Sequence, residues 1–434
     1  MANRRKIADE RSQSERDCDS ILYSAAYRRL AGVTQVVSVD EVQLFHNRLT
    51  HTMKVAQLTL RLADDLVRGG HVSEEDIDVH SAEAAALAHD LGHPPFGHIG
   101  EDVLRELCTD SGAGGFEGNA QSFRIVTTLA GSASNRQGLG LSPRTLNGIL
   151  KYPWFRNSDP PQDGATPDEK YRWRKWGAYR TESDDFEEAR AGDTTDQQSL
   201  EARVMDWCDD ISYALHDVED FYRVGLLPLE RLRDERSWFS SVASSELGRQ
   251  PKFDPDRFDT ALGTLLGLLP AQPYKGGAED DQSLHGFTND SIGKYFAAVE
   301  VVSDGKRLAI ETSALHEVMV LKQLTWQYVV NSPSLASIQD GQQRIVRVLY
   351  ERLEDWLRRE VKSQPHRLPR RLKRYYDISE REATLSGGDI SEEAVRSRAV
   401  ADYICTLTED QAVDLYKRLD GLPGSSVLEG WVRR

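Results

Sequence analysis

At 434 residues the chain is long for one hydrophobic core, and its 39% hydrophobic content predicts two or three packed subregions of a globular protein. Its 54 basic and 70 acidic residues give a formal charge of -16, which disfavours nonspecific attraction to nucleic acid or to an anionic membrane. The 4 cysteines form no CxxC pair, the opening MANRRKIADERSQSERDCDS has no apolar core, and no run approaches the roughly eighteen apolar residues of a span, so a zinc ribbon, a disulfide framework, export and membrane insertion are all disfavoured. A cytoplasmic protein with reduced thiols is the expectation.

Residues 1–16 are charged and read as frayed. The spacing of Ile21, Leu22, Ala25, Ala26 and Leu30 predicts an amphipathic helix from Cys18 to Leu30, stopped by Gly32. The β-branched run from Val33 to Leu44 predicts an extended segment or short hairpin, with Gln35 a lone polar residue among valines. His46 to Leu66 reads as one helix. His51, Val55, Leu58, Leu62 and Leu66 share its apolar stripe, and Arg48 sits one turn earlier on nearly the same face. A histidine alone there suits a core residue bonded to a backbone carbonyl; with an arginine beside it, the pair suits an anion next to a metal.

A capping arrangement of Ser73 with Asp76 predicts the start of a helix that runs to His89. The stretch Ala82 to Glu101, AEAAALAHDLGHPPFGHIGE, carries the densest chemistry of the chain. Gly92, Pro94 and Pro95 forbid further helix, which leaves His89 and Asp90 in its last turn and His93 and His98 on a stiff turn beyond. Glu101 follows His98 by three residues, so the two share a face of the next helix. With 11 histidines in an Asp-rich chain, about one His-Asp dipeptide arises by chance, and His216–Asp217 is a second one. Context separates them: a small-residue core helix buries an unpaired His and Asp only at a cost of several kcal/mol, which a divalent cation removes. The stretch therefore reads as a metal site with an acid/base pair beside it.

Phe116 to Leu129 looks helical, with Asn119 near its start as either a cap or a ligand amide. Polar loop follows, with a short helix near Pro143; Lys151 and Tyr152 are either surface groups or a phosphate clamp. Asn157 to Asp196 is a charged, Pro/Gly-rich excursion with the look of a mobile flap. Ser199 to Val224 is a long helix that aligns Asp209, Tyr213, Asp217 and Asp220 on one face. Later apolar segments span Leu262 to Leu269 and Ile292 to Val302. Long amphipathic helices over Glu311 to Val330 and Gln342 to Val361 predict a partner surface, hence a homo-oligomer. The basic cluster HRLPRRLKRYYD reads first as a solvated face and leaves contact with a nucleotide, a subunit or nucleic acid open, and a final helical pair ends near Gly430.

The order of helix-borne His, His-Asp and helix-borne Asp resembles the HD phosphohydrolase superfamily. The finer motifs, YRRLAGVTQV, HNRLTH, HDLGHPPFGHIGE, FEGNAQ, KYP and DDISYALHDVED, are similar to its deoxyguanosine triphosphate triphosphohydrolase branch. The resemblance implies a mostly α-helical HD bundle with few short strands. Residues 1–230 would form its core, with the insertion at about 157–196, and 231–434 a helical region completing the nucleotide site and the oligomer contacts of a tetramer or hexamer. It implies metal ligation by His51, His89, Asp90 and Asp209, with manganese or magnesium, or iron, as the cofactor. It places His98 and Glu101 at the reacting phosphorus and His93 close to the phosphates. Arg48, Asn119, Lys151 and Tyr152 would bind the triphosphate, and Gln35, Tyr213 and Asp217 the deoxyribose. The implied reaction cleaves a dNTP, dGTP by default, to deoxynucleoside and tripolyphosphate, with a nucleotide activator among the open partners. The alternatives are an HD phosphodiesterase acting on another nucleotide and a noncatalytic nucleotide-sensing module.

Overall fold

The computed structural model describes residues 9–36, 46–131, 138–157, 161–162, 164–248, 250, 252–302, 307–386 and 390–422. Among them are eighteen α-helices and one two-stranded sheet, so the expected mostly α class holds. No helix among the described residues is long and apolar enough to cross a membrane.

The centre is built from three helices that pack on one another: α3 (Arg48–Arg68), α4 (Val79–Ala88) and α10 (Leu200–Arg223), numbered in chain order. Helix α4 is the thin member. Ala82, Ala84, Ala85, Ala86 and Ala88 are fully buried, and their small side chains let α1 (Gln13–Leu22), α3, α7 (Pro143–Ile149) and α10 close around it. The predicted helix from Cys18 to Leu30 is two pieces, because Ser24 accepts from the Tyr27 N–H and starts α2 (Ala25–Arg29) afresh. Helix α1 begins at Gln13 through a Ser12–Glu15 capping box, inside the stretch expected to fray. Helix α3 begins two residues after the predicted start at His46, because Asn47 caps it by accepting from the Thr50 N–H. The Ser73–Asp76 pair closes only a turn; the cap of α4 is Asp78, which accepts from the Ser81 N–H. Most of the predicted hairpin, 37–44, lies outside the described residues, as do 1–8 and the expected end near Gly430; Thr34 pairs in a single bridge with Asn47.

After α5 (Gly97–Asp110) and α6 (Gly118–Arg124), the expected flap is stitched into the body. Trp176, Ala178 and Tyr179 are buried, Phe155 bridges Ala178, and α8 (Pro167–Arg174) and α9 (Ser183–Arg190) flank the buried run. Aromatic burial overrode the polar composition of the segment. Farther on come α11 (Arg236–Leu247), α12 (Pro255–Leu266) and α13 (Ala278–Ala297). Strand β1 (Val299–Val301) then pairs antiparallel with β2 (Leu308–Ile310), with Val299 opposite Ile310. Helix α14 (Thr312–Thr325) packs on α10 and α12, and α15 (Pro333–Glu360) packs on α5, α17 (Glu392–Ile404) and α18 (Glu409–Leu419). Most of their apolar residues are thus covered inside the chain, although Trp326 and Ile338 stay exposed, so the stripes by themselves do not require a second subunit. The basic cluster, residues 366–377, runs from a short turn into α16 (Arg370–Leu385), which packs on α17.

The C-terminal helices fasten the N-terminal ones. The fully buried Arg124 guanidinium meets Glu182, Glu382 at 2.9 Å and Asp402 at 3.0 Å. Burial, aided by Glu382 and opposed by Arg124, pushes the Glu182 carboxyl up to about 7.

Candidate metal and phosphate site

Helix α4 stops at Ala88, so His89 is its C-terminal cap and Asp90 lies in the turn just beyond. That turn passes so close to α6 that a Cβ on Gly92 would stand 2.1 Å from the Gly118 carbonyl; only glycine fits. Phe96 and Gly97 both take left-handed backbone, at φ 66° and 55°, an uncommon conformation for a phenylalanine that must be held by its surroundings. Two groups far away in sequence hold it. Arg29, buried, donates to the carbonyls of Leu91, His93 and Leu407. The Glu409 carboxylate at the start of α18 accepts from the Phe96 N–H, the Thr34 N–H and the Thr34 hydroxyl.

The first turn of α3, the end of α4 and the middle of α10 converge on one point. His51 Nε2 stands 3.0 Å from Asp209 Oδ1, and His89 Nε2 is 3.5 Å from both Asp90 Oδ1 and Asp209 Oδ1. The ligand atoms of His51, His89 and Asp90 lie within 4.8 Å of one another. His89 Nδ1 is 2.7 Å from the Ala86 carbonyl, which can only accept, so Nδ1 carries a proton and Nε2 is turned toward the carboxylates. Nε2 is buried and has no hydrogen-bond partner among the described residues. Burial opposes a charge on His89, yet Asp90 and Asp209 outweigh it and raise its pKa to about 9, so without a metal Nε2 is protonated as well. A cation belongs between this nitrogen and the carboxylates, a proton or, in its place, a metal ion. Two imidazoles and two carboxylates form the mixed N/O shell that suits manganese, iron or magnesium, so the donor set fits a divalent ion.

Around this point Arg48 Nη1 donates to Asp90 Oδ2 at 2.7 Å, and the Lys151 ammonium lies 2.8 Å from both Asp206 and Asp209. Burial and the Arg48 charge lower His93 to about 4; its Nδ1 is 3.1 Å from Asp90 Oδ1. Glu101 is buried, and Lys175 at 3.2 Å and Arg105 hold it; burial is outweighed by these cations and the neighbouring imidazoles, so it stays ionised. Its Oε2 is 3.4 Å from Nδ1 of His98, whose side chain is 62% exposed.

A cavity of about 220 Å³ joins these groups. Gln35, Arg48, His89, Asp90, His93, His98, Asn119, Lys151, Tyr152, Asp209 and Tyr213 line it, with Asp210 and Lys322. His51 and Glu101 lie buried beneath the lining. Asp217 sits one turn beyond Tyr213 and outside the lining, and burial together with Asp220 pushes its carboxyl well above the usual range. Asn119 is not the helix cap; Glu117 is, and it also accepts from the Asn119 amide. Asp220 leaves the predicted face to pair with His46 at 2.6 Å. The second dipeptide, His216–Asp217, lies inside α10, and His216 is spent on Ser212 at 2.9 Å. Sequence reasoning missed Lys322, Lys175 and Glu409, none of which belongs to a local pattern, and gave no role to Arg29 although it lies within the YRRLAGVTQV motif.

A helical bundle that sets His, His-Asp and Asp around one cation position defines an HD phosphohydrolase. The HD domain family matches residues 48–132, and the phosphohydrolase-associated domain family matches 308–418. The deoxyguanosinetriphosphate triphosphohydrolase-like protein of Corynebacterium efficiens is 32% identical, over 96% of this chain and 93% of the relative. That of Streptomyces coelicolor is 33% identical over 95% and 94%, and that of Shewanella sediminis 30% over 97% and 95%. The chain belongs to this HD-domain deoxyguanosinetriphosphate triphosphohydrolase-like family, a family of nucleotide triphosphohydrolases.

Proposed function

We propose that the chain is a metal-dependent deoxynucleoside triphosphate triphosphohydrolase, with dGTP the default substrate, that releases deoxynucleoside and intact tripolyphosphate. The observation that carries this reading is His89 Nε2, turned by the Ala86 carbonyl toward Asp90 and Asp209 at the floor of a cavity that also presents Arg48, Lys151 and Lys322. His51, His89, Asp90 and Asp209 would hold the ion, manganese, magnesium or iron, which when bound polarises a phosphoryl oxygen and acidifies bound water.

In this reading the cationic groups Arg48 and Lys151, with Asn119 and Tyr152, bind the triphosphate in a chain that is otherwise strongly acidic. As water adds to the α-phosphorus and loses a proton to solvent, the bond from phosphorus to the 5′ oxygen breaks, and His98, oriented by the ionised Glu101, gives its proton to that departing oxygen. His93 lies against the phosphates. Gln35, Tyr213 and Asp217 receive the deoxyribose. The base enters the adjoining cavity of about 690 Å³, which shares Asp210, Tyr213 and Lys322 with the first and in which Glu246 accepts from Gln323. Residues 1–230 then supply the reacting groups and 231–434 the base side. Assembly into a tetramer or hexamer, and activation by a nucleotide, belong to the same proposal and rest on the resemblance. Incubation with each dNTP and manganese, with products resolved by chromatography, tests it: tripolyphosphate is expected, and pyrophosphate with a nucleoside monophosphate would overturn it.

A further inference from the structure

A third cavity, of about 280 Å³, lies between the 112–114 loop, the buried run Trp176–Tyr179, α16 and α17. Its volume is close to the lower end of the ~300–1,000 Å³ range of small-molecule sites. Three arginines line it, Arg156, Arg180 and Arg398, and none forms an ion pair among the described residues, in a chain of formal charge -16. The one carboxylate in the lining among the described residues, Glu382, is committed to Arg124 through both oxygens, at 3.0 and 2.9 Å.

Each guanidinium carbon stands over a ring, 3.5 Å from the Trp173 centroid for Arg156, 3.9 Å from that of Tyr179 for Arg398 and 4.5 Å from that of Phe155 for Arg180. A stacked guanidinium keeps its N–H edge for hydrogen bonds in the plane. Arg398 uses Nη2 on the carbonyls of Ala113 and Gly115, at 2.6 and 2.7 Å, while its Nη1 has no partner among the described residues. Two more lining residues carry buried donors without a partner among the described residues, the Trp176 indole N–H and the Ser379 hydroxyl; these residues are 0% and 4% exposed. A buried donor without an acceptor costs ~1–3 kcal/mol, so several around one cavity call for an acceptor-rich occupant. Burial and repulsion from Arg105 and Arg398 pull Arg156 down to about 10, the behaviour of a cation without a counterion.

We propose that this cavity is a binding site for a small phosphorylated anion, held by the N–H edges of Arg156, Arg180 and Arg398 and by the Trp176 and Ser379 donors. The acceptors it supplies match planar, multi-donor guanidinium recognition of phosphate.

The test is calorimetric titration of the full chain with inorganic phosphate and with pyrophosphate, in chelator so that no divalent metal bridges the probe. R156Q/R180Q should weaken binding by roughly tenfold or more, the scale of a lost charge-assisted hydrogen bond. S379A should weaken it several-fold at an unchanged melting temperature. K151A, altered in the hydrolytic cavity, should keep the component that R156Q/R180Q loses. No binding of either probe at millimolar concentration, loss of all binding in K151A, or wild-type affinity in S379A and R156Q/R180Q would each overturn the site. Should R156Q/R180Q fail to fold, the affinity of S379A decides.

Discussion

Glu409 offers the sharpest test of how the C-terminal helices support the site. Glu409→Ala removes one carboxylate that accepts from the Thr34 N–H at 2.8 Å, the Thr34 hydroxyl at 2.6 Å and the Phe96 N–H at 3.1 Å. Hydrogen bonds to a charged group contribute ~1.5–3 kcal/mol when buried. Glu409 is half-buried, so about 1 kcal/mol each is the better figure, with a few tenths more for an acid in the first turn of α18. The loss is then about 3 kcal/mol, less whatever water restores. It falls on both sides of the cavity at once: Thr34 precedes Gln35, and Phe96 is the left-handed residue between His93 and His98. If about 1.4 kcal/mol of it is felt by the reacting geometry, kcat/KM drops about tenfold. The assays are thermal unfolding and dGTP hydrolysis under manganese, with bound metal measured alongside. A lower melting temperature, reduced turnover and normal metal content are expected, with Glu409→Gln intermediate because it keeps one acceptor oxygen. Unchanged stability and unchanged turnover in Glu409→Ala would refute the reasoning.

Three further outcomes follow from the same geometry. His89→Ala and Asp209→Ala should lose bound metal and turnover together, whereas His98→Ala and Glu101→Gln should keep metal and lose rate by ~10²–10⁴-fold; full metal in Asp209→Ala, or metal loss in His98→Ala, reverses those assignments. Tyr213→Ala should narrow the dGTP to GTP ratio of kcat/KM, since an unpaired buried hydroxyl costs ~1–3 kcal/mol and favours the deoxynucleotide by roughly tenfold; equal wild-type hydrolysis of the two nucleotides refutes the sugar pocket. Glu182, raised to about 7, keeps a proton in the folded state that the unfolded chain sheds near pH 4.5. Its contribution to stability is therefore present below pH 4.5 and lost as pH rises to about 7. Glu182→Gln should melt progressively higher than wild type between pH 5 and 8, and a constant difference across that range would contradict the assignment.

Much of the site was legible because its parts are local. The helical period of α3 and α10, the proline stop after His89 and the three-residue step from His98 to Glu101 each depend on neighbours in sequence, and each lies where those neighbours dictate. The chemistry between them was not legible in that way. That His51 meets Asp209, 158 positions away, depends on alanines thin enough to bring α3, α4 and α10 together. Lys175 reaches Glu101 because Trp176 and Tyr179 bury a segment whose charge suggested a flap. The stripes of α14 and α15 suggested a partner surface, and the chain itself covers most of it. A residue's type and spacing determine what it can offer. Burial, which sets its charge state and the strength of its contacts, is decided only by the segments that close over it, and those come from anywhere in the chain.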